Sequence, residues 1–178
     1  WLAERYCRNP GIRLRAEQGL LKLASLPPAP GDAVLRAALH TMVGVCLWTL
    51  AERSAAIHNF DQAIASARES GDPGSLAHAL SGRIQAHWAG GQYDEGLRLG
   101  DEVERIYREL GDTGALAMIT NTRGALLLWR GELRPSLATF ETALAFSRQV
   151  GWGYGTAMIV GNMSLVYKEL GDLAREFG

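Results

Sequence analysis

Two cysteines, two lysines and no long apolar run: these are what this 178-residue chain has least of. Cys7 and Cys46 form neither a CxxC pair nor a zinc-ligand spacing. They read as buried thiols in a reducing compartment, and so point to the cytoplasm. The richest apolar stretch, Gly124–Trp129, falls far short of the roughly 18 residues a membrane-crossing helix needs, so no membrane association is expected. There is no signal peptide and no initiator methionine, and the start at Trp1 looks like a cut. Charge of neither sign dominates. Eighteen basic and 19 acidic residues leave a formal charge of −1, which gives no reason to expect nucleic acid or an anionic membrane as a direct partner. The basic residues are Arg apart from Lys22 and Lys168 and Ala and Gly are abundant, a composition associated with GC-rich bacterial genomes. What is present in quantity is core material: 47% hydrophobic against 21% charged residues, a globular balance fitting one domain or one elongated repeat array.

The organisation is periodic. Gly-Asp stands at 31–32, 71–72 and 111–112, and a shift of 40 brings segments beginning at Gly31, Gly71, Gly111 and Gly151 into register. Glycine just past a helix end can adopt the left-handed conformation that closes the last carbonyls, and the following Asp can accept hydrogen bonds from the next helix's first N–H groups. One column of small residues, Gly44, Ile84, Gly124 and Ser164, marks where two helices touch closely. Ala51, Gly91, Gly131 and Gly171 mark a second joint, the tight turn inside each hairpin, so Gly171-Asp172 is expected to be such a turn. The second half of each unit carries an amphipathic face: Ala56, Ile57, Phe60 and Ala63, then Gly96, Leu97, Gly100 and Val103, then Ser136, Leu137, Phe140 and Ala143. Pro73 and Pro135 fall in first turns, where a missing N–H does no harm. These signals predict helices near 32–50, 54–70, 73–89, 93–110, 113–130, 134–150 and 153–170, with no strand. Residues 1–30 become a partial repeat, its second helix near 12–26; 31–70, 71–110 and 111–150 are full repeats, and 151–178 is partial. All belong to one solenoid. Both ends cut through a repeat without a polar capping unit, so the chain is expected to be an excerpt of a longer one.

A small residue on the first helix, Gly at the hairpin, then small residue, Phe and Ala on the second resembles the tetratricopeptide repeat (TPR). The residues that carry the resemblance are Gly44, Gly124 and Ser164; Gly91, Gly131 and Gly171; and Ala56, Phe60, Ala63, Ser136, Phe140 and Ala143. It covers nearly the whole chain, with a 40-residue unit in place of the usual 34 or so. It implies an all-α, right-handed superhelix of antiparallel helix hairpins, about four repeats long. Stretches such as "GNMSLVYKELGD" and "RESGDPGSLAHAL" resemble the repeats of bacterial ATP-dependent transcriptional regulators of the LuxR or antibiotic-regulator type and their cyclase- or kinase-linked relatives. The second unit departs from the pattern, with Gly96 and Gly100 where a small residue and Phe are expected.

Catalytic motifs are lacking. "GWGYG" at 151–155 opens a helix but has no preceding strand and no Lys-Ser/Thr, so it reads as a joint rather than a phosphate loop. His40, His58, His78 and His87 include no i, i+4 pair. The acidic residues Asp94, Glu95, Asp101, Glu102 and Glu104 alternate with Arg98, Arg105 and Arg108 as a solvated outer face with local ion pairs. No Ser lies in a nucleophile-elbow context. The reading is a nonenzymatic module without cofactor or metal.

The resemblance implies that the first helices line a concave groove. Carried onto this sequence, the inward positions are Thr41, Val45 and Trp48; His78, Ser81, Gln85 and Trp88; Met118, Asn121, Leu128 and Trp129; and Met158, Gly161, Leu165 and Lys168. The Lys/Arg/Asn clamp with which chaperone-binding members hold a terminal carboxylate is essentially absent, with only Asn121 and Lys168 to serve. The lining is aromatic, thioether and amide instead, suited to an apolar ligand or a helix face. The expected binding residues are Trp48, His78, Ser81, Gln85, Trp88, Met118, Asn121, Leu128, Trp129 and Met158. The expected occupant is a peptide segment or neighbouring domain within a larger cytoplasmic signalling or transcription-regulatory protein; the alternative is a small apolar effector. Trp48 and Trp88, one repeat apart, have packing against each other as their competing reading.

Overall fold

A computed structural model describes residues 32–177, the last six by backbone alone, together with Gly11, Leu14, Gln18, Gly19, Leu21 and Lys22. From residue 32 onward seven helices follow in order: α1 (Ala33–Thr49), α2 (Arg53–Ser70), α3 (Pro73–Ala89), α4 (Tyr93–Leu110), α5 (Thr113–Trp129), α6 (Leu133–Gln149) and α7 (Gly153–Phe177). Among the described residues there is no strand. Contacts divide the chain into two compact units, Trp1–Ala86 and His87–Gly178, with the division inside α3.

The punctuation is set by backbone conformation. Gly71, Gly111 and Gly151 take positive φ (69°, 69° and 66°) between hairpins, and Gly91 and Gly131 (71° and 86°) inside them. At each hairpin turn the same two bonds close the helix end: Gly91 N–H to Trp88 O (3.1 Å) and Gln92 N–H to His87 O (2.9 Å), repeated by Gly131 to Leu128 and Glu132 to Leu127 (both 2.9 Å). Ala51 occupies this corner in the first hairpin with φ 63° and makes the same bonds, at the steric cost an L side chain meets there. Ala51→Gly is therefore expected to stabilise the protein by about 1 kcal/mol, read from the urea midpoint at unchanged slope.

The caps after the Gly joints are unequal. Asp72 Oδ2 accepts from Ser75 N–H (2.7 Å) and Asp112 Oδ1 from Ala115 N–H (2.9 Å), whereas the Asp32 side chain caps nothing. The hydrogen bonds from Ser75 hold the Asp72 carboxyl below the ordinary aspartate value. A lowered folded-state pKa contributes stability that is complete above the unfolded value and is lost as pH falls through the folded one. Asp72→Asn keeps a capping oxygen, and is expected to flatten the acid limb of the stability curve below about pH 4 while leaving neutral stability nearly unchanged. Urea melts across pH 2–7 provide the check.

Gly171 departs from the expected turn. α7 runs without interruption from Gly153 to Phe177, so residues 171–172 are helical. The turns at 51, 91 and 131 are each followed by a full second helix with an apolar face to bury. Keeping a glycine within the helix costs only about 1 kcal/mol. The expected first-repeat helix near 12–26 lies largely outside the described residues. Gly19 packs so closely that a Cβ there would strike Val43 of α1.

Within the first unit, Phe60 of α2 is fully buried with Val43, Leu47 and Ala56. Its ring lies where a Cβ on Gly44 of α1 or Gly82 of α3 would come within 2.5 Å, which is why those positions are glycine. In the second unit Phe140 of α6 repeats the arrangement, 2.6 Å from a Cβ built on Gly124 of α5, and joins Ala143, Ile159 and Val166 in the core.

Candidate functional site

At position 100, one repeat after Phe60, a different solution replaces the aromatic ring. A Cβ on Gly100 would sit 2.9 Å from Cγ of Arg123, whose side chain lies across the glycine from α5. Arg123 donates to the carboxylate of Glu104 and pairs with Asp101 at 2.8 Å, and Glu104 also accepts from Arg108. Glu104 does not belong to the solvated outer face expected of it: its side chain is only 5% exposed. The reason is geometric, since a glycine in place of Phe leaves room for a long side chain from the next helix, and a half-buried guanidinium favours a carboxylate partner. Its acidic neighbours behave as expected, with Glu95–Arg98 (2.5 Å) and Arg105–Glu109 (2.7 Å) on the surface. α4 itself is unbroken from Tyr93 to Leu110 despite its two glycines.

The first helices carry the open surface. In the first unit, Ala38, Thr41, Met42, Val45 and Cys46 recur along one face of α1 and, with Ser75 and His78 of α3, line a trough of about 560 Å³ open to solvent. Thr41 donates its hydroxyl to Ala37 O (2.8 Å), and nearby Ser81 donates to Ala77 O (2.8 Å), so both hydroxyls are spent on their own helices. The trough is in effect apolar with one imidazole at its rim. Cys46 is half-buried here rather than enclosed in the core. "GWGYG" is a joint: Gly151 closes α6 in the left-handed conformation, and the Trp152 ring covers Gly155.

In the second unit Leu128, Trp129, Gly131, Leu133, Leu165 and Glu169 line an open depression of about 460 Å³ at the end of α5. A shallower one of about 250 Å³ is lined by Trp88, Ala89, Tyr93 and Trp129. The two are one feature repeated. Trp88, Ala89, Tyr93 and Trp129 each stand 40 residues before Leu128, Trp129, Leu133 and Glu169. Each depression is built by the end of a first helix, the start of the second helix that follows, and the next first helix.

The expected binding residues fall into three groups. His78, Trp88, Leu128 and Trp129 line these depressions, with Trp129 59% exposed. Gln85 and Met118 are exposed on α3 and α5, and Met158 is half-buried on α7. Trp48 is half-buried under the Arg53 guanidinium, 3.9 Å from its ring centroid. Asn121 is buried, and its side-chain oxygen accepts from Asn162 Nδ2 at 2.9 Å, tying α5 to α7. An amide at such a helix contact must find a partner, and here the partner is internal. Sequence reasoning passed over Met42, Leu133, Tyr93 and Glu169. The first was detectable as an apolar position beside Thr41; Tyr93 and Leu133 adjoin hairpin turns, Glu169 lies within α7, and these become lining residues only through packing. Among the described residues, no three His, Cys, Asp or Glu converge as metal ligands, and no helix is long and apolar enough to cross a membrane.

Helical hairpins, left-handed glycines every 40 residues and an aromatic wedged onto glycine define an all-α, TPR-like repeat fold, and solved structures agree. A kinesin-light-chain-like protein of Podosopora anserina with nearly identical TPR-like repeats superimposes with a TM-score of 0.72 at 15% identity, over 96% of this chain and 84% of that one. BtubC of P. vanneervenii gives 0.74 at 16% identity over 88% and 64%. Aspartyl phosphate phosphatase F of Bacillus subtilis gives 0.78 at 12% identity, covering 98% of this chain but 46% of its own. No family model and no curated protein sequence matches the chain.

Proposed function

We propose that this chain is a noncatalytic protein-interaction module that holds a peptide segment or a neighbouring domain against its first helices. The observation that carries this reading is the lining of those helices: open, apolar depressions recur along them, while the second helices bear most of the charge. An open trough favours an extended or helical segment over a small effector, which is usually enclosed on most sides. We read residues 31–70, 71–110 and 111–150 as full repeats and 1–30 and 151–178 as partial ones. The resemblance in "GNMSLVYKELGD" and "RESGDPGSLAHAL" supports a setting within a larger bacterial signalling or transcription-regulatory protein in the cytoplasm.

The test is selection of displayed peptides against the native chain, followed by titration of the selected peptides. Met42→Asp, Val45→Asp or Trp129→Ala is expected to weaken binding by roughly thirtyfold where that residue is an anchor, about 2 kcal/mol. Arg98→Glu and Arg105→Glu on the outer face are expected to leave it unchanged. The opposite pattern, in variants whose helicity is intact by circular dichroism, would move the interface to the second helices and overturn the reading.

A further inference from the structure

We propose that the depression at the C-terminal end of α5 receives an arginine side chain from the partner's peptide segment. The inference rests on the interaction-module reading and gives it a chemical specificity. The lining comprises Leu128, Leu133 and Leu165, the exposed Trp129, which also borders the shallower depression beside it, and the carboxylate-bearing Glu169. Glu169 is exposed, and among the described residues it enters no ion pair. The end of α5 carries the partial negative charge of its last carbonyls, yet the last turn contains no basic residue. The adjacent Arg130 does not satisfy this end, because its guanidinium is held between Asp94 and Glu132. The lining thus combines apolar side chains with one carboxylate that enters no ion pair among the described residues.

The chain shows elsewhere what such a station accepts. Eighty residues earlier, Trp48 holds the register of Leu128 and Arg53 that of Leu133. There the Arg53 guanidinium lies 3.9 Å from the Trp48 ring centroid and donates to the Trp48 carbonyl oxygen at 3.4 Å, at the end of α1. At this turn the protein's own arginine covers the tryptophan. Forty residues later Trp88, Tyr93 and the indole of Trp129 crowd the station, and the depression shrinks to about 250 Å³. At the third station Leu133 replaces Arg53 and Glu169 replaces Trp129 in register, which removes the internal cation, enlarges the space to about 460 Å³ and adds a carboxylate. Arginine matches each element: a three-carbon stem for the leucines, a weakly hydrated plane to stack on indole, and a fork of N–H donors for the carboxylate.

The experiment uses the native chain and three blocked peptides, acetyl-Ala-Leu-X-Leu-Ala-amide with X arginine, citrulline or glutamate, followed by the Trp129 indole N–H resonance. The arginine peptide is expected to give a saturable shift, with citrulline, its uncharged isostere, binding at least about tenfold more weakly and glutamate not at all. Glu169→Gln is expected to bring the arginine peptide down to the citrulline level, while Glu141→Gln on the exposed side of α6 changes nothing. Equal binding of arginine and citrulline, no saturable shift, or indifference to Glu169→Gln in a variant of native helicity would overturn the proposal. If selected peptides still bind through Met42 and Val45 while the arginine peptide fails, the arginine site is refuted and the interaction module stands. Failure of every peptide counts against both.

Discussion

Phe140→Ala is expected to destabilise the protein by about 3–5 kcal/mol, near the upper end of that range. The ring is fully buried and belongs to a cluster with Ala143, Ile159 and Val166. Its other face lies on Gly124, where a Cβ would come within 2.6 Å of a ring carbon. Glycine and alanine have no side chain that could swing into the vacated space, so the cavity persists and its full cost is felt. Urea titration at unchanged slope would measure the loss. A shift below about 1 kcal/mol would show that the column joining Phe60 and Phe140 does not form the core. Phe140→Leu is expected to recover part of the loss, because it restores volume without the flat ring that fits the glycine surface.

Glu104→Ala is expected to cost about 2–3 kcal/mol, less than the 3–5 or so typical when a fully buried pair loses one member. The difference follows from the partners. The Glu104 side chain is 5% exposed, but Arg108 is 63% exposed and returns to water when released. Arg123, 26% exposed, bears the penalty. Its Nε has no hydrogen-bond partner even with Glu104 present, and Asp101 would remain as its one counter-ion. Glu104→Leu combined with Arg123→Met removes charge and counter-charge together, and the double variant is expected to come within about 1 kcal/mol of the native chain. Additive losses in that cycle would show that the two side chains are not coupled and that the charged cluster does not hold α4 against α5.

The helices were legible in the sequence because their limits are local. Gly-Asp pairs, hairpin glycines and first-turn prolines act over one or two turns of backbone, and each expected boundary from 32 to 150 lies within a residue or so of the observed one. The pairing of Phe60 with Gly44, and of Phe140 with Gly124, was also foreshadowed by the columns, because a strict 40-residue repeat fixes which residues meet. Where the repeat lapses, foresight ends. Gly100 announces a missing ring but not that Arg123, 23 residues on, covers it, nor that Glu104 is thereby drawn out of solvent. Asn121 reads as a free amide until Asn162 is brought to its side from 41 residues away. Gly171 has the letters of a turn, yet α7 continues through it, because a glycine inside a helix costs only about 1 kcal/mol and does not by itself end one.

The depressions belong to the same class. The sequence by itself determined that the first helices would be apolar and sparsely charged, since that is a matter of composition along one helix face. Only the tertiary structure decided that Leu128, Leu133, Leu165 and Glu169 converge at the end of α5. A helix's ends and faces are set by hydrogen bonds and contacts four residues away, whereas a cavity is the space left between helices and depends on how three of them pack.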